Sequence, residues 1–198
     1  MMPVSLLIRN HNIPGVDAVY GSLWTGRADL RGDYRLEWSS KLGWGHLETP
    51  ITLSGADTRV TGAASFGVTG VALKQVTGRA GPGLAQLIPG AWQCDMTARV
   101  SDVAGSWGWF SVGAAGQVST PEGSCEKGNR SIDIPPLSLD LTSEGPDAVA
   151  TLREPDAPPM AVARIRRDRV VDIRIEPTAA DVFPALPRSG PITLQVPF

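Results

Sequence analysis

The chain has 198 residues, of which 42% are hydrophobic and 19% charged, so it is long enough to bury a substantial core. A formal net charge of −2 and a pI near 5.7 exclude the basic footprint of a nucleic-acid-binding protein. The 22 Gly and 17 Pro punctuate apolar alternation and form no low-complexity tract, which excludes disorder throughout and predicts many short strands joined by tight turns.

Residues 1–15 form a polar lead-in. Its first eight residues, Met1-Met2-Pro3-Val4-Ser5-Leu6-Leu7-Ile8, are too short for a signal peptide with its cleavage site, and 4–8 suit pairing with a sheet edge or covering one. Ile13-Pro14-Gly15 ends the lead-in as a turn signal. In Val19-Tyr20-Gly21-Ser22-Leu23-Trp24 the β-branched and aromatic residues favour a pleated backbone, and Gly21 and Gly26 let it bend or admit a neighbouring backbone. Strands are predicted near 18–24, 26–30 and 34–39, with Arg31-Gly32-Asp33 as a tight hairpin connection. Residues 42–46 read as a loop or irregular strand, and 51–53 resume extension. Val60-Thr61-Gly62, Val68-Thr69-Gly70 and Val76-Thr77-Gly78 recur every eight residues, the length of a strand and a turn, as in a meander or one long Gly-bent hairpin. Between helix breakers, Leu84, Leu87 and Ile88 fall at helical spacing, so 82–90 is the best helical candidate.

Further on, Trp92, Cys94, Met96, Ala98 and Val100 alternate with Gln93, Asp95, Thr97, Arg99 and Ser101, predicting one half-buried antiparallel strand over 91–103. Residues 107–110 and 114–119 continue the sheet, and 120–130 read as a polar loop holding Cys125. Strands at 138–141, 148–152, 161–167 and 170–176 follow, separated by turn chemistry; 177–187 has room for one helical turn. The chain closes with Ile192, Leu194, Val196 and Phe198 on one side of a last strand. About a dozen short strands with almost no helix and no parallel crossover signal define an all-β antiparallel protein, expected as one domain over 1–198. The pattern alone supports sandwich and barrel equally.

Chemistry has little material to work with. No Gly-x-Ser-x-Gly elbow and no phosphate-binding Gly-x4-Gly-Lys-Ser/Thr loop occurs, and the two histidines, His11 and His46, lie in the lead-in and in a Gly-rich loop. Asp95, Asp140 and Asp172 fall on the polar phase of alternating strands. No catalytic, metal or cofactor site is therefore assigned, and the chain is not expected to be an enzyme. Trp44, Trp107 and Trp109 have Gly-flanked positions suited to stacking on sugar rings, which keeps a carbohydrate-binding module as a reading, whereas Trp24, Trp38 and Trp92 read as core. Arg164, Arg166 and Arg169 read as a polar hairpin face rather than a phospholipid site. Cys94 and Cys125 are compatible with one disulfide or with two separate thiols. There is no run of about 20 apolar residues to cross a membrane as a helix.

One phrase carries more. Gly21-Ser22-Leu23-Trp24-Thr25-Gly26-Arg27-Ala28, followed by Tyr34-Arg35-Leu36-Glu37-Trp38, resembles the opening of the periplasmic domain of type II secretion system protein N (general secretion pathway protein N). In that family a Gly-x-Leu-Trp-x-Gly-Arg-Ala phrase follows a single N-terminal membrane helix and leads into a Trp-ended strand. The matching positions are Gly21, Leu23, Trp24, Gly26, Arg27 and Ala28. The resemblance implies a strongly curved antiparallel sheet, folded like a half-open taco or barrel and akin to bridge-like lipid-transport proteins, with the 82–90 segment between two sheet halves. It also implies the periplasm, a Cys94–Cys125 bond, and an inner-membrane anchor lying before this chain, with which the doubled methionine is consistent. The function implied is non-catalytic, through contacts with other secretion-system envelope proteins. Strand addition is one mode, at the edge bearing Ile192, Leu194, Val196 and Phe198 or at the first strand near Tyr20. Lipid carriage, with acyl chains sheltered on an apolar concave face, is the alternative.

Overall fold

The computed structural model describes residues 15–87 and 92–197, a succession of antiparallel strands. These are β1 (Val16–Gly21), β2 (Thr25–Leu30), β3 (Tyr34–Ser39), β4 (Lys41–Leu42), β5 (His46–Ser54), β6 (Arg59–Gly67) and β7 (Gly70–Ala80), then a 3-10 helix (Pro82–Leu87). There follow β8 (Gln93–Cys94), β9 (Ala98–Gly108), β10 (Val112–Thr120), β11 (Gly123–Lys127), β12 (Arg130–Ile134), β13 (Leu137–Glu144), β14 (Asp147–Arg153), β15 (Ala161–Ile165) and β16 (Val170–Ile175). A short α-helix (Ala179–Val182) precedes β17 (Ile192–Pro197). A 14-stranded sheet takes the order β1-β2-β3-β5-β6-β7-β9-β10-β13-β14-β15-β16-β17, with β4 on β5, and a 3-stranded sheet has the order β12-β11-β8. The large sheet ends at β1 and β17, so it is open.

The all-β antiparallel class is as the alternation predicts; the local differences have physical reasons. Residues 91–103 are not one strand. Gln93 and Cys94 pair with β11 in the small sheet, and Asp95 is still tied to it, its N–H donating to Ser124 O at 3.0 Å and its Oδ1 accepting from Ser124 N at 2.7 Å; the chain then crosses to the large sheet, where β9 begins at Ala98. Cys125 lies in a hairpin strand, not a loop, and bonds Cys94 with an S–S distance of 2.04 Å. Of the first strand predicted near 18–24, Ser22-Leu23-Trp24 instead form the turn, and β2 already begins at Thr25. Trp109 and Phe110 are likewise turn residues. The three Val-Thr-Gly triplets make one long hairpin: Val60 pairs with Gly78 and Thr61 with Thr77, while Val68 and Thr69 form its tip. Residues 1–14 of the lead-in, residues 88–91 of the predicted helical and strand segments, and Phe198 lie outside the described residues.

Sheet register sorts the side chains by face, since directly opposed residues on neighbouring strands project to the same side. One continuous rung crosses every strand of the path: Val19, Ala28, Leu36, Leu53, Val60, Gly78, Val100, Val118, Leu139, Leu152, Ala161, Ile175 and Ile192. Every member is apolar or glycine. The opposite face carries the charges.

Keeping that face apolar requires bulges. Val71 and Leu73 face it, yet so does Val76, three residues further along; the extra residue is taken up at Gln75, which has φ 50°. The same happens between Val100 and Val103, with Asp102 at φ 47°. Each bulge lies against a glycine of the neighbouring strand. A Cβ at Gly62 would stand 2.9 Å from Val76 Cγ2, and one at Gly116 2.6 Å from Val103 Cα.

Because the strands form a meander, the connections fall alternately at two ends. One end is closed. The 3-10 helix, the small sheet, the residues around Met160 and the α-helix all belong to connections at this end, where Cys125, Ile134, Met160, Ala179 and Val182 form the buried cluster. Leu137 and Ile175 of the large sheet pack against it, as do Trp92 and Cys94. The other end carries the short turns.

Candidate functional site

The motif residues build the hairpin at the β1 edge. Gly21, at φ 94°, takes a conformation that L side chains rarely adopt, and a Cβ there would meet Thr25 O at 2.4 Å. Across from it, Gly26 leaves room for the Trp38 indole, whose Nε1 donates to Ser22 O at 3.0 Å. Ser22 Oγ accepts from Trp24 N and Thr25 N, each at 3.2 Å, and holds the turn. On the outer side the Arg27 guanidinium sits 4.9 Å from the Tyr20 ring centroid and 3.5 Å from Asp29, while Ala28 is buried. Two glycines, Arg27 and Ala28 therefore have structural work; Leu23 and Trp24 do not. Both are exposed, which corrects the placement of Trp24 in the core.

That hairpin is one member of an apolar end. Ser40 joins it to the next turn, its N–H donating to Trp24 O at 2.5 Å and its Oγ to Leu23 O at 2.8 Å. Leu42 and Trp44 project from the turn between β3 and β5, Val68 from the β6–β7 turn, and Trp109 and Phe110 from the β9–β10 turn; Trp44 is 101% exposed, Trp109 77% and Phe110 79%. Trp109 N–H donates to Thr69 O at 3.4 Å, tying two of these turns together. Beside them a shallow cleft of about 520 Å³ is lined by Val68, Val71, Trp107, Trp109, Phe110 and Lys74. From this end the apolar face continues inward through Phe66 and Leu73, both exposed, to the half-buried rungs behind them. No large side chain of the described residues is fully buried. The apolar side of the sheet is thus closed at one end and open at the other.

The last strand presents Leu194 and Val196, exposed, beside half-buried Ile192, at the free side of β17. Strand β1 occupies the opposite edge.

The polar candidates are spoken for by neighbours. Asp140 accepts from Gln117 Nε2 at 2.8 Å and Arg153 Nε at 2.8 Å; Gln117 first, then Arg153, holds its carboxyl below the usual carboxylate range. Asp172 stands 3.6 Å from Arg166, and Asp95 is the strap to β11 described above. Arg164 pairs with Glu144 and Asp147, and Arg166 with Asp168, so two of the three arginines of this basic group are neutralised by neighbours. His46 Nδ1 lies 3.1 Å from Trp44 O, within its own turn. Among the described residues no group of His, Cys, Asp and Glu is clustered to hold a metal ion. At the closed end, Tyr34 Oη donates to Asp57 Oδ1 at 2.6 Å; burial first, and then Asp57, raises the phenol, while the Tyr34 bond is the main cause that lowers the Asp57 carboxyl.

Sequence reading found the motif, the cysteine pair and the last strand, but not the apolar end, because its parts come from turns far apart in the chain. The bulges had a signal that was missed: apolar spacing of three within Leu73 to Val76 and Val100 to Val103.

Fold and site define an open antiparallel β-sheet protein with a disulfide-stapled closed end and an apolar open end. The bond is consistent with an oxidising space, periplasmic or extracellular. Among the described residues no helix is long and apolar enough to cross a membrane, which says nothing of strands. No protein-family model, curated protein or solved structure matches the chain.

Proposed function

We propose that this protein is a non-catalytic periplasmic component of a type II secretion apparatus, of the protein N kind, held at the inner membrane and working through contacts with other envelope proteins. The observation that carries this reading is the division of labour within the motif: its glycines, Arg27 and Ala28 shape an edge hairpin, and Leu23 and Trp24 are left outward, beside Trp44 and Leu42. Exposed aromatic anchors on a rigid turn are what a partner protein buries most productively. The disulfide supports the compartment, and the bulges at Gln75 and Asp102, each a local bend, support the curved form of the sheet.

A second reading has its own observation. The unbroken apolar rung, open at one end, favours an apolar ligand such as an acyl chain lying across the strands, as in a lipid-transfer protein.

Photocrosslinking in cells, using the full membrane-anchored protein with the probe at Leu23, Leu73 or Leu194, separates the two. Adducts to secretion-apparatus proteins from Leu23 are the expected result. Adducts of phospholipid mass from Leu73, with no secretion component at any position, would overturn the assembly reading in favour of lipid carriage.

A further inference from the structure

The polar face holds a feature that neither reading uses. Arg59 of β6 is directly opposite Arg79 of β7, and Arg79 is directly opposite Arg99 of β9. Neighbouring strands lie about 4.8 Å apart, so the backbones of the three span roughly 10 Å along one rung. All three side chains are exposed, and none has an ion pair or hydrogen bond among the described residues. Their counterparts further along the same rung are treated differently: Arg35 pairs with Asp29 at 3.4 Å and Arg153 with Asp140 at 2.7 Å. Like charges directly opposed in a sheet repel, and the chain as a whole is acidic. Three adjacent unneutralised guanidinium groups therefore cost stability unless an anion joins them.

The surroundings suit one. Arg59, Thr61, Thr77 and Arg79 line a depression of about 540 Å³, and Arg79, Arg99, Ser119 and Thr120 line a second of about 500 Å³, with Arg79 shared. Asp57 borders the first depression, but its oxygens are committed to Tyr34, Thr58 and the Gly83 N–H. Guanidinium groups bind phosphate oxygens in bidentate fashion, and hydroxyls add donors.

We propose that Arg59, Arg79 and Arg99 form a binding site for a phosphate-bearing anion, a free phosphoester or a lipid headgroup. The site lies on the face away from the apolar rungs and stands whether or not the assembly reading does.

The test measures thermal unfolding of the intact protein with and without inorganic pyrophosphate, and co-sedimentation with vesicles of phosphatidylglycerol or phosphatidylcholine, for the native chain, Arg79→Gln and Arg174→Gln. Arg174 is exposed, on the same face, and paired with Glu176. Pyrophosphate is expected to raise the native midpoint by several degrees, or phosphatidylglycerol vesicles to pull down the protein several-fold better than phosphatidylcholine; the first result names a soluble source and the second a headgroup. Arg79→Gln should lose the effect and unfold at a higher temperature than the native chain without anion, whereas Arg174→Gln should keep the effect. No response to either probe overturns the site, as does a response that survives Arg79→Gln or falls equally in both variants.

Discussion

The Trp38 indole occupies the space that a side chain at Gly26 would need: a Cβ there would stand 2.2 Å from Trp38 Cζ2. The same ring is held in place by the bond from Nε1 to Ser22 O. It cannot step aside without giving up that bond. Gly26→Ala should thus destabilise the protein by about 1–3 kcal/mol, the usual cost of overpacking. Denaturant unfolding followed by tryptophan fluorescence measures it, and a change below about 0.5 kcal/mol, the scatter of a surface substitution, would show that the edge hairpin is loosely packed.

The Tyr34–Asp57 pair sets a pH dependence at the closed end. Asp57 and Asp140 have lowered carboxyl pKa values, so their stabilisation is full above the ordinary carboxylate pKa of about 4 and is lost as pH falls through the lower folded values. Tyr34 is raised, so its contribution holds below about pH 10 and is lost as pH climbs past that. Tyr34→Phe should cost about 1 kcal/mol near neutrality and flatten the acid limb. Chemical denaturation from pH 2 to 7 tests this; an unchanged acid limb would sink the assignment to this pair.

Reduction should act on the closed end before the rest. The Cys94–Cys125 bond closes a loop with a sequence separation of 31, for which the loop-entropy model gives about 3–4 kcal/mol. A Cys94→Ala/Cys125→Ala variant is expected to melt about 6–15 °C lower. Hydrogen exchange should show β8, β11 and β12 opening first. Uniform loss of protection over both sheets would contradict a local staple.

Truncations on the apolar face should be unusually mild. Leu139 lies on the continuous rung but is only half-buried, so Leu139→Ala closes no sealed cavity, and about 1–2 kcal/mol is expected in place of the 2–5 kcal/mol of a packed core. An environment-sensitive apolar dye should bind the native protein, and Leu73→Glu should weaken that binding at least several-fold. A full core-sized penalty together with no dye binding would mean the face is filled.

Much was legible in the sequence because strand pattern is local. Alternation at Tyr34–Ser39, turn chemistry at Arg31-Gly32-Asp33 and the hydrophobic phase of Ile192, Leu194 and Val196 each depend on residues within a few positions, and each reappears in the fold. The cysteine pair was visible but its bonding was open, since whether β8 meets β11 depends on where chain segments 31 residues apart are laid. The long apolar rung, the cluster of exposed turns and the arginine ladder were beyond local reading. Arg59, Arg79 and Arg99 are ordinary polar-phase residues in their own strands; only the register, set by the tip of the long hairpin and by the bulges at Gln75 and Asp102, makes them neighbours. The sequence by itself determined the antiparallel class and most of the extended segments, but not the turns at residues 22–24 and 109–110 or the strand that holds Cys125. The tertiary structure decided which residues share a face, because one residue's shift in register carries every side chain of a strand to the other side.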